Sequence, residues 1–200
     1  HRPGNELSYY PGEVTLRVAD VVVINKMDSA SPENIQTVRE NIEKVNPTAV
    51  VIDAASPLTV HHPELIKGKR VLVVEDGPTL THGEMKLGAG TVAARKYGAR
   101  EMVDPRPFVV GKLAETFKTY PNIGTLLPAM GYGEQQIADL EKTINNTDCD
   151  TVVIATPIDL QRIVKINKPA TKVDYDLEEI GRPKLSDVLG DFVKKMNLVK

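Results

Sequence analysis

Cysteine is nearly absent from this 200-residue sequence: Cys149 stands alone. A lone thiol excludes an internal disulfide and fits a reducing compartment, so a cytoplasmic protein is expected. Cys149 itself reads as a small residue near a strand start. Neither charge is in excess, with 25 Lys and Arg against 27 Asp and Glu and a formal net charge of -2. That balance offers no basic field for nucleic acid. No apolar run is long enough to span a bilayer, and His1-Arg2-Pro3-Gly4-Asn5-Glu6 lacks the apolar core of a signal peptide. Internal repeats and low-complexity tracts are missing too. So is any Gly-x-x-x-x-Gly-Lys-Ser/Thr phosphate loop, and the first residue is not Met. What remains is 41% hydrophobic and 26% charged, an ordinary globular composition at a length for one domain or two small ones.

The strongest local signal is Val21-Val22-Val23-Ile24 running into Asn25-Lys26-Met27-Asp28. Four apolar β-branched residues read as a buried parallel strand, because both faces of such a strand are covered. Asn-Lys-x-Asp then falls at the strand's carboxyl end, where open α/β sheets place ligands. There it is the guanine-recognition element of P-loop GTPases. Asp28 would accept two hydrogen bonds from the base edge, Asn25 would brace the loop, and the Lys26 stem would pack on the ring. Solvated turn residues are the plain alternative. A second strand over 48–53 ends in Ala54-Ala55-Ser56. Small residues there let the backbone approach a ring and offer an N–H to the base oxygen, or simply make an ordinary turn.

Helices and strands alternate from this point. Ser31-Pro32-Glu33 reads as N-cap, N1 and N2 of a helix with Ile35, Val38, Ile42 and Val45 on one face, stopped by Asn46-Pro47. Further strands are expected near 70–76, 101–104, 123–130 and 151–155, with helices near 88–97, 111–120, 134–144 and 185–196. Ala170 to Asp176 alternates as an edge-type strand with one wet face. The pattern predicts an α/β fold: a mostly parallel, doubly wound sheet with helices on both faces, a three-layer P-loop or Rossmann-like arrangement. Loops after residues 24, 53, 75, 104, 128 and 155 would then share one ligand edge. Residues 1–66 are expected to close a nucleotide-binding domain, and 67–200 to form an α/β substrate-binding domain.

Glu75-Asp76-Gly77-Pro78-Thr79-Leu80-Thr81-His82-Gly83 is the second chemically loaded stretch. It puts two carboxylates, two hydroxyls, an imidazole and two glycines at a strand's carboxyl end. His82 suits acid/base work or phosphate donation, and Asp76 or Glu75 could hold Mg²⁺. A capping and turn cluster is the bland reading. The helix start at Gly88-Ala89-Gly90 could face an anion. Arg106, fixed between Pro105 and Pro107, suits an oxyanion or pairs with Asp104. Gly131-Tyr132-Gly133 before a helix is a weak phosphate-cradle signal. His61-His62 is a poor metal pair, since adjacent imidazoles diverge and no third ligand stands near.

Taken together, Arg2-Pro3-Gly4, Leu7-Ser8-Tyr9-Tyr10-Pro11-Gly12-Glu13, Asn25-Lys26-x-Asp28, Ala54-Ala55-Ser56-Pro57, Val73 to Gly83 and Pro128 to Gly133 resemble the predicted P-loop GTPase family that includes archaeal cyclic 2,3-diphosphoglycerate synthetase. The resemblance covers nearly the whole chain but only the carboxyl-terminal part of such proteins. It implies a nucleotide-dependent phosphoryl-transfer enzyme that closes an intramolecular phosphoanhydride, or else a GTP-binding regulatory protein. Either way the P-loop and the Mg²⁺ ligands would lie upstream, no metal ligand is assigned in this chain, and these residues alone would be inactive. The cofactor would be ATP or GTP with Mg²⁺: the aspartate favours guanine, whereas the synthetase uses ATP. Asn25, Lys26, Asp28, Ala54, Ala55 and Ser56 would hold the nucleotide. His82, Asp76 and Arg106 would be catalytic. Thr79, Thr81, Gly83, Arg95, Gly131 and Gly133 would bind a phosphorylated small-molecule substrate. A homo-oligomer is expected, with neither nucleic acid nor membrane as partner.

Overall fold

Packing divides the chain at Pro57 and again at Asp176. In the computed structural model, residues 2–77 and 88–196 are described. In chain order they form α1 (Asn5–Ser8), α2 (Gly12–Val18), β1 (Val21–Ile24), α3 (Pro32–Val45), β2 (Val50–Ala55), β3 (Leu58–Val60) and β4 (Arg70–Asp76). Then follow α4 (Ala89–Lys96), β5 (Glu101–Met102), α5 (Lys112–Thr119), β6 (Leu127–Ala129), α6 (Glu134–Asn146), β7 (Thr151–Ala155), β8 (Ala170–Tyr175), β9 (Glu178–Ile180) and α7 (Leu185–Lys195). The class is α/β, with mixed sheets and helices on both sides. Among the described residues no helix is long and apolar enough to cross a membrane.

The first unit joins the residues up to Pro57 with those from Asp176 onward. The sequence pattern predicts instead two contiguous stretches meeting at residues 66 and 67. The return of the chain end follows from β9, which pairs antiparallel with β2 through Asp53 to Ala55. β1 and β2 pair in parallel, Val21 opposite Val50 through Ile24 opposite Asp53, with α3 as the connection. Ser31 caps α3 by accepting the Asn34 N–H at 3.3 Å, and Pro32 sits where no intrahelical N–H is needed. At its far end Asn46 donates from its side chain to the carbonyls of Leu16 and Ala19, which ties the end of α2 to the end of α3. One guanidinium nitrogen of Arg39 donates to both carboxylate oxygens of Asp53, at 2.8 and 3.0 Å, and holds α3 to β2. The core of this unit is small: Leu16, Ile24 and Ile42 form one buried cluster with Leu7, Val22, Met27, Val38, Val45 and Val51 packed around them, and Ile52 and Ala54 of β2 are buried as well.

The second unit runs from Leu58 to Tyr175 around a sheet of order β3-β8-β7-β4-β5, and β6 also pairs with β4. Val71 to Val74 of β4 and Val152 to Ile154 of β7 are wholly shielded from solvent. Such continuous apolar runs mark strands with both faces covered. β5 pairs with the start of β4 and β6 with its end, so both occupy the same side of that strand. β7 lies on the other side, Val71 opposite Thr151 through Glu75 opposite Ala155.

Two expectations need correction. The strands do not belong to one sheet, because β1 and β2 form a separate three-stranded sheet with β9. β8 alternates as expected but is not an edge strand, because β3 pairs antiparallel along its outer side from Leu58 opposite Tyr175 to Val60 opposite Val173. Three residues give too short a run for a period of two to register.

Candidate functional site

Two sets of strand ends carry the candidate residues, one in each unit. In the first unit β1 runs into Asn25 to Asp28, and β2 into Ala55 and Ser56. The parallel pairing puts both carboxyl ends on the same side. β2 runs on through Ala54 and Ala55, which the sequence places in a loop, because β9 pairs with them, and the Met27 N–H donates to the Ala54 carbonyl at 3.0 Å. The Asp28 carboxylate accepts the Ser56 N–H at 3.0 Å. The structure therefore brings together the two loops that the sequence singles out separately.

Lys26 takes a left-handed backbone with φ 62, the one such non-glycine residue among those described. A lysine there is uncommon, and such strain persists where surrounding bonds over-determine it. The bonds are visible. The Asn25 side-chain oxygen accepts the Lys26 N–H at 2.7 Å, and the Lys26 carbonyl accepts the N–H groups of Ser29 and Ala30. Asn25 braces the loop as its type predicts. Asn25 and Asp28 are exposed and Lys26 is half-buried, so the polar ends of the motif face solvent above the strand.

In the second unit the ends of β4, β6 and β7 converge. Glu75 stands opposite Pro128 on one side and Ala155 on the other, and Asp76 opposite Ala129. Glu75 is only 3% exposed. One of its carboxylate oxygens accepts the Thr91 N–H at 2.8 Å and the Thr91 hydroxyl at 3.2 Å. Gly88 and Gly90 leave the room this requires. A Cβ on Gly88 would collide with the Glu75 carboxyl group. Burial pushes the Glu75 pKa up to about 7, with the Asp76 charge adding to the rise and the N–H groups of Thr91 and Gly90 opposing it.

This arrangement changes the reading of the α4 amino terminus. The group it faces is the protein's own Glu75 carboxyl, which takes the place foreseen for a ligand. Arg95 lies in the last turn of α4 and is exposed, about 9 Å along the axis from Ala89. Successive strand side chains point to opposite faces, so Glu75, turned onto α4, and Asp76 do not converge on one cation. At the end of β6, Gly131 and Gly133 pack against Gln136. Its side-chain oxygen accepts the Gly133 N–H at 3.2 Å and caps α6.

Tyr132, between those glycines, is a residue that sequence reasoning misses. Burial and the Asp76 charge raise its phenol above the ordinary value. Its hydroxyl is sealed from solvent with no hydrogen-bond partner among the described residues, and the nearby Thr156 hydroxyl opposes the rise. The only signal available is a tyrosine flanked by glycines at a strand end.

Arg106 is engaged elsewhere. Its guanidinium pairs with Asp104 at 2.8 Å, donates to the Ile123 carbonyl and stacks over Phe117 at 5.2 Å. Of the two readings open for it, the ion pair is the one formed. His61 pairs with Asp174 and His62 with Glu64, so the adjacent imidazoles diverge. Thr79, Thr81, His82 and Gly83 lie outside the described residues.

No family model matches the chain. Over all 200 residues it is 61% identical to a protein of Thermococcus kodakarensis named arginine synthetase ArcE. The chain spans 45% of that relative's length. This finding overturns both functions expected from the sequence. Neither closure of a phosphoanhydride in 2,3-diphosphoglycerate nor regulatory GTP hydrolysis agrees with a relative named for arginine synthesis and matched across the whole chain. The physical reason is that strand-end loops of this kind recur on α/β sheets with many chemistries, so they identify a fold's ligand edge better than its reaction.

Proposed function

We propose that this chain is part of a nucleotide-driven synthetase that forms arginine. The observation that carries the reading is 61% identity, without a break in coverage, to a protein named for that activity. A synthetase couples bond formation to cleavage of a phosphoanhydride, so it needs a place for a nucleoside triphosphate with Mg²⁺ and a place for an amino acid.

The loops joined by Asp28 and Ser56 are the base-holding element in this reading. Asp28 uses one of about four acceptor positions on the Ser56 N–H and keeps the rest for a purine edge. The backbone at Ala54 and Ala55 is close at hand, and the Lys26 stem can lie along a ring. In the second unit, Asp76 at the end of β4 is the carboxylate suited to a guanidinium, which binds carboxylates through paired N–H donors.

The test is a calorimetric titration of the full-length protein with L-arginine, L-lysine, Mg-ATP and Mg-GTP, alongside chromatographic measurement of arginine and nucleoside diphosphate. Arginine should bind as product at least tenfold more tightly than lysine, because lysine offers no planar fork. One of the two triphosphates should bind and the other fail to compete. Absence of arginine binding, both with and without nucleotide, would overturn the proposal.

A further inference from the structure

We infer that the outer edge of β1 receives one more strand, supplied by the part of the longer protein that lies outside these 200 residues. β1 is an end strand of the order β1-β2-β9. The Val50 N–H donates to the Asp20 carbonyl at 2.9 Å, so Asp20 faces β2. Alternation then turns Val22 and Ile24 toward β2, and the N–H and C=O groups of Val21 and Val23 the other way.

An edge meant for solvent is normally guarded by a charge, a proline or a bulge. Val21-Val22-Val23-Ile24 has neither charge nor proline, and its register against β2 is unbroken. Its composition belongs to a strand with neighbours on both sides. Next to it lies a groove of about 230 Å³, lined by Val22, Ile24, Ile35, Val38 and Ile42 among others. The unit's own core is small, with Leu16, Ile24, Ile42, Ile52 and Ala54 as its buried apolar residues among those described, and α7 buries none.

The chain spans 45% of the length of the relative that it matches at 61% identity. More than half of a protein of that length is therefore available to supply the strand. A second copy is the weaker occupant. It would meet this four-residue edge across a two-fold axis, and the rest of the longer chain would still need a surface. The inference is independent of the reaction catalysed, since it rests on the edge and the groove.

Amide hydrogen exchange on the full-length protein, read residue by residue at two concentrations, tests it. With a strand in place, Val21 and Val23 should exchange within roughly tenfold of Val22 and Ile24, and dilution should change nothing. Val21 and Val23 exchanging faster than that would mean an open edge and would sink the inference. Protection that fades on dilution would assign the edge to a second copy and sink it equally. Arginine formation does not enter either readout, so this inference and the proposed function fail separately.

Discussion

The Asp28 carboxylate accepts the Ser56 N–H at 3.0 Å, and that one bond joins the loop ending β1 to the loop ending β2. The two residues are 28 apart in sequence, and the parallel β1–β2 pairing makes them neighbours. The same carboxylate is therefore a structural tie and the candidate acceptor for a base, and the two roles can be separated.

Asp28→Asn keeps a side-chain oxygen for Ser56 and replaces the other with a donor. Nucleotide affinity should fall at least tenfold, about 1.4 kcal/mol. Stability should change by less than about 1 kcal/mol, because the loop tie survives. Calorimetric titration and thermal unfolding of the full-length protein measure the two effects. Unchanged affinity would remove the nucleotide from these loops.

Glu75 gives a pH dependence of definite sign. Its pKa rises from an ordinary 4.5 to about 7 on folding, chiefly through burial. The unfolded chain therefore ionises first as pH rises. The contribution of Glu75 to stability is full below about 4.5, and it is lost as pH climbs through about 7. The total is on the order of 3 kcal/mol. Glu75→Gln cannot ionise, so the stability difference between variant and parent should shift by that amount, in favour of the variant, between about pH 4.5 and about pH 8. Denaturant unfolding at both pH values reads it directly. A constant difference across the range would mean that Glu75 stays ionised in the fold.

Arg106 is a structural residue in this arrangement. Its planar head meets Asp104, the Ile123 carbonyl and the Phe117 ring at once. Arg106→Lys keeps the charge but loses the fork and the stacking. It should cost about 1–2 kcal/mol in thermal unfolding. Arginine and nucleotide affinities should hold within roughly twofold. A collapse of either affinity at unchanged stability would return Arg106 to the ligand site.

Long elements are legible in the sequence because their signals are local and redundant. α3 shows why: Ser31, Pro32, the face of Ile35 to Val45 and the stop at Asn46 all agree, and the structure bears them out. β4 and β7 are equally plain as unbroken apolar runs. The short strands β3 and β9 are not, since three residues carry no period and both exist through pairing with distant partners. The Asn25–Asp28 and Ala54–Ser56 loops can be found one by one, and their direct bond follows from the parallel register. The partnership of Glu75 with Thr91 is hidden for a different reason. A carboxylate at a strand end next to a glycine-rich helix start reads as a site for a ligand, and nothing local says that the chain's own carboxyl group fills it.

Two helical glycines should respond to alanine with opposite signs, and the cause lies in what each faces. Gly190, inside α7, has nothing within 4 Å of the position that an added methyl group would occupy. Gly190→Ala therefore gains helix propensity and restricts the unfolded chain, for about 0.5–1 kcal/mol of added stability. Gly90, in the first turn of α4, would bring its Cβ to 2.8 Å from Val73 Cγ1, 2.9 Å from Ala155 Cβ and 3.2 Å from the Glu75 carboxylate. The first two belong to β4 and β7 at the centre of their sheet, where neither can yield without moving a strand. Gly90→Ala should thus lose about 1–3 kcal/mol in spite of its better propensity. The loss should shrink in a Val73→Ala background, where the obstructing methyl is gone, and a double-mutant cycle by denaturant unfolding would show that coupling. Equal and additive effects of Gly90→Ala in both backgrounds would mean that α4 does not pack on β4 as closely as these distances require.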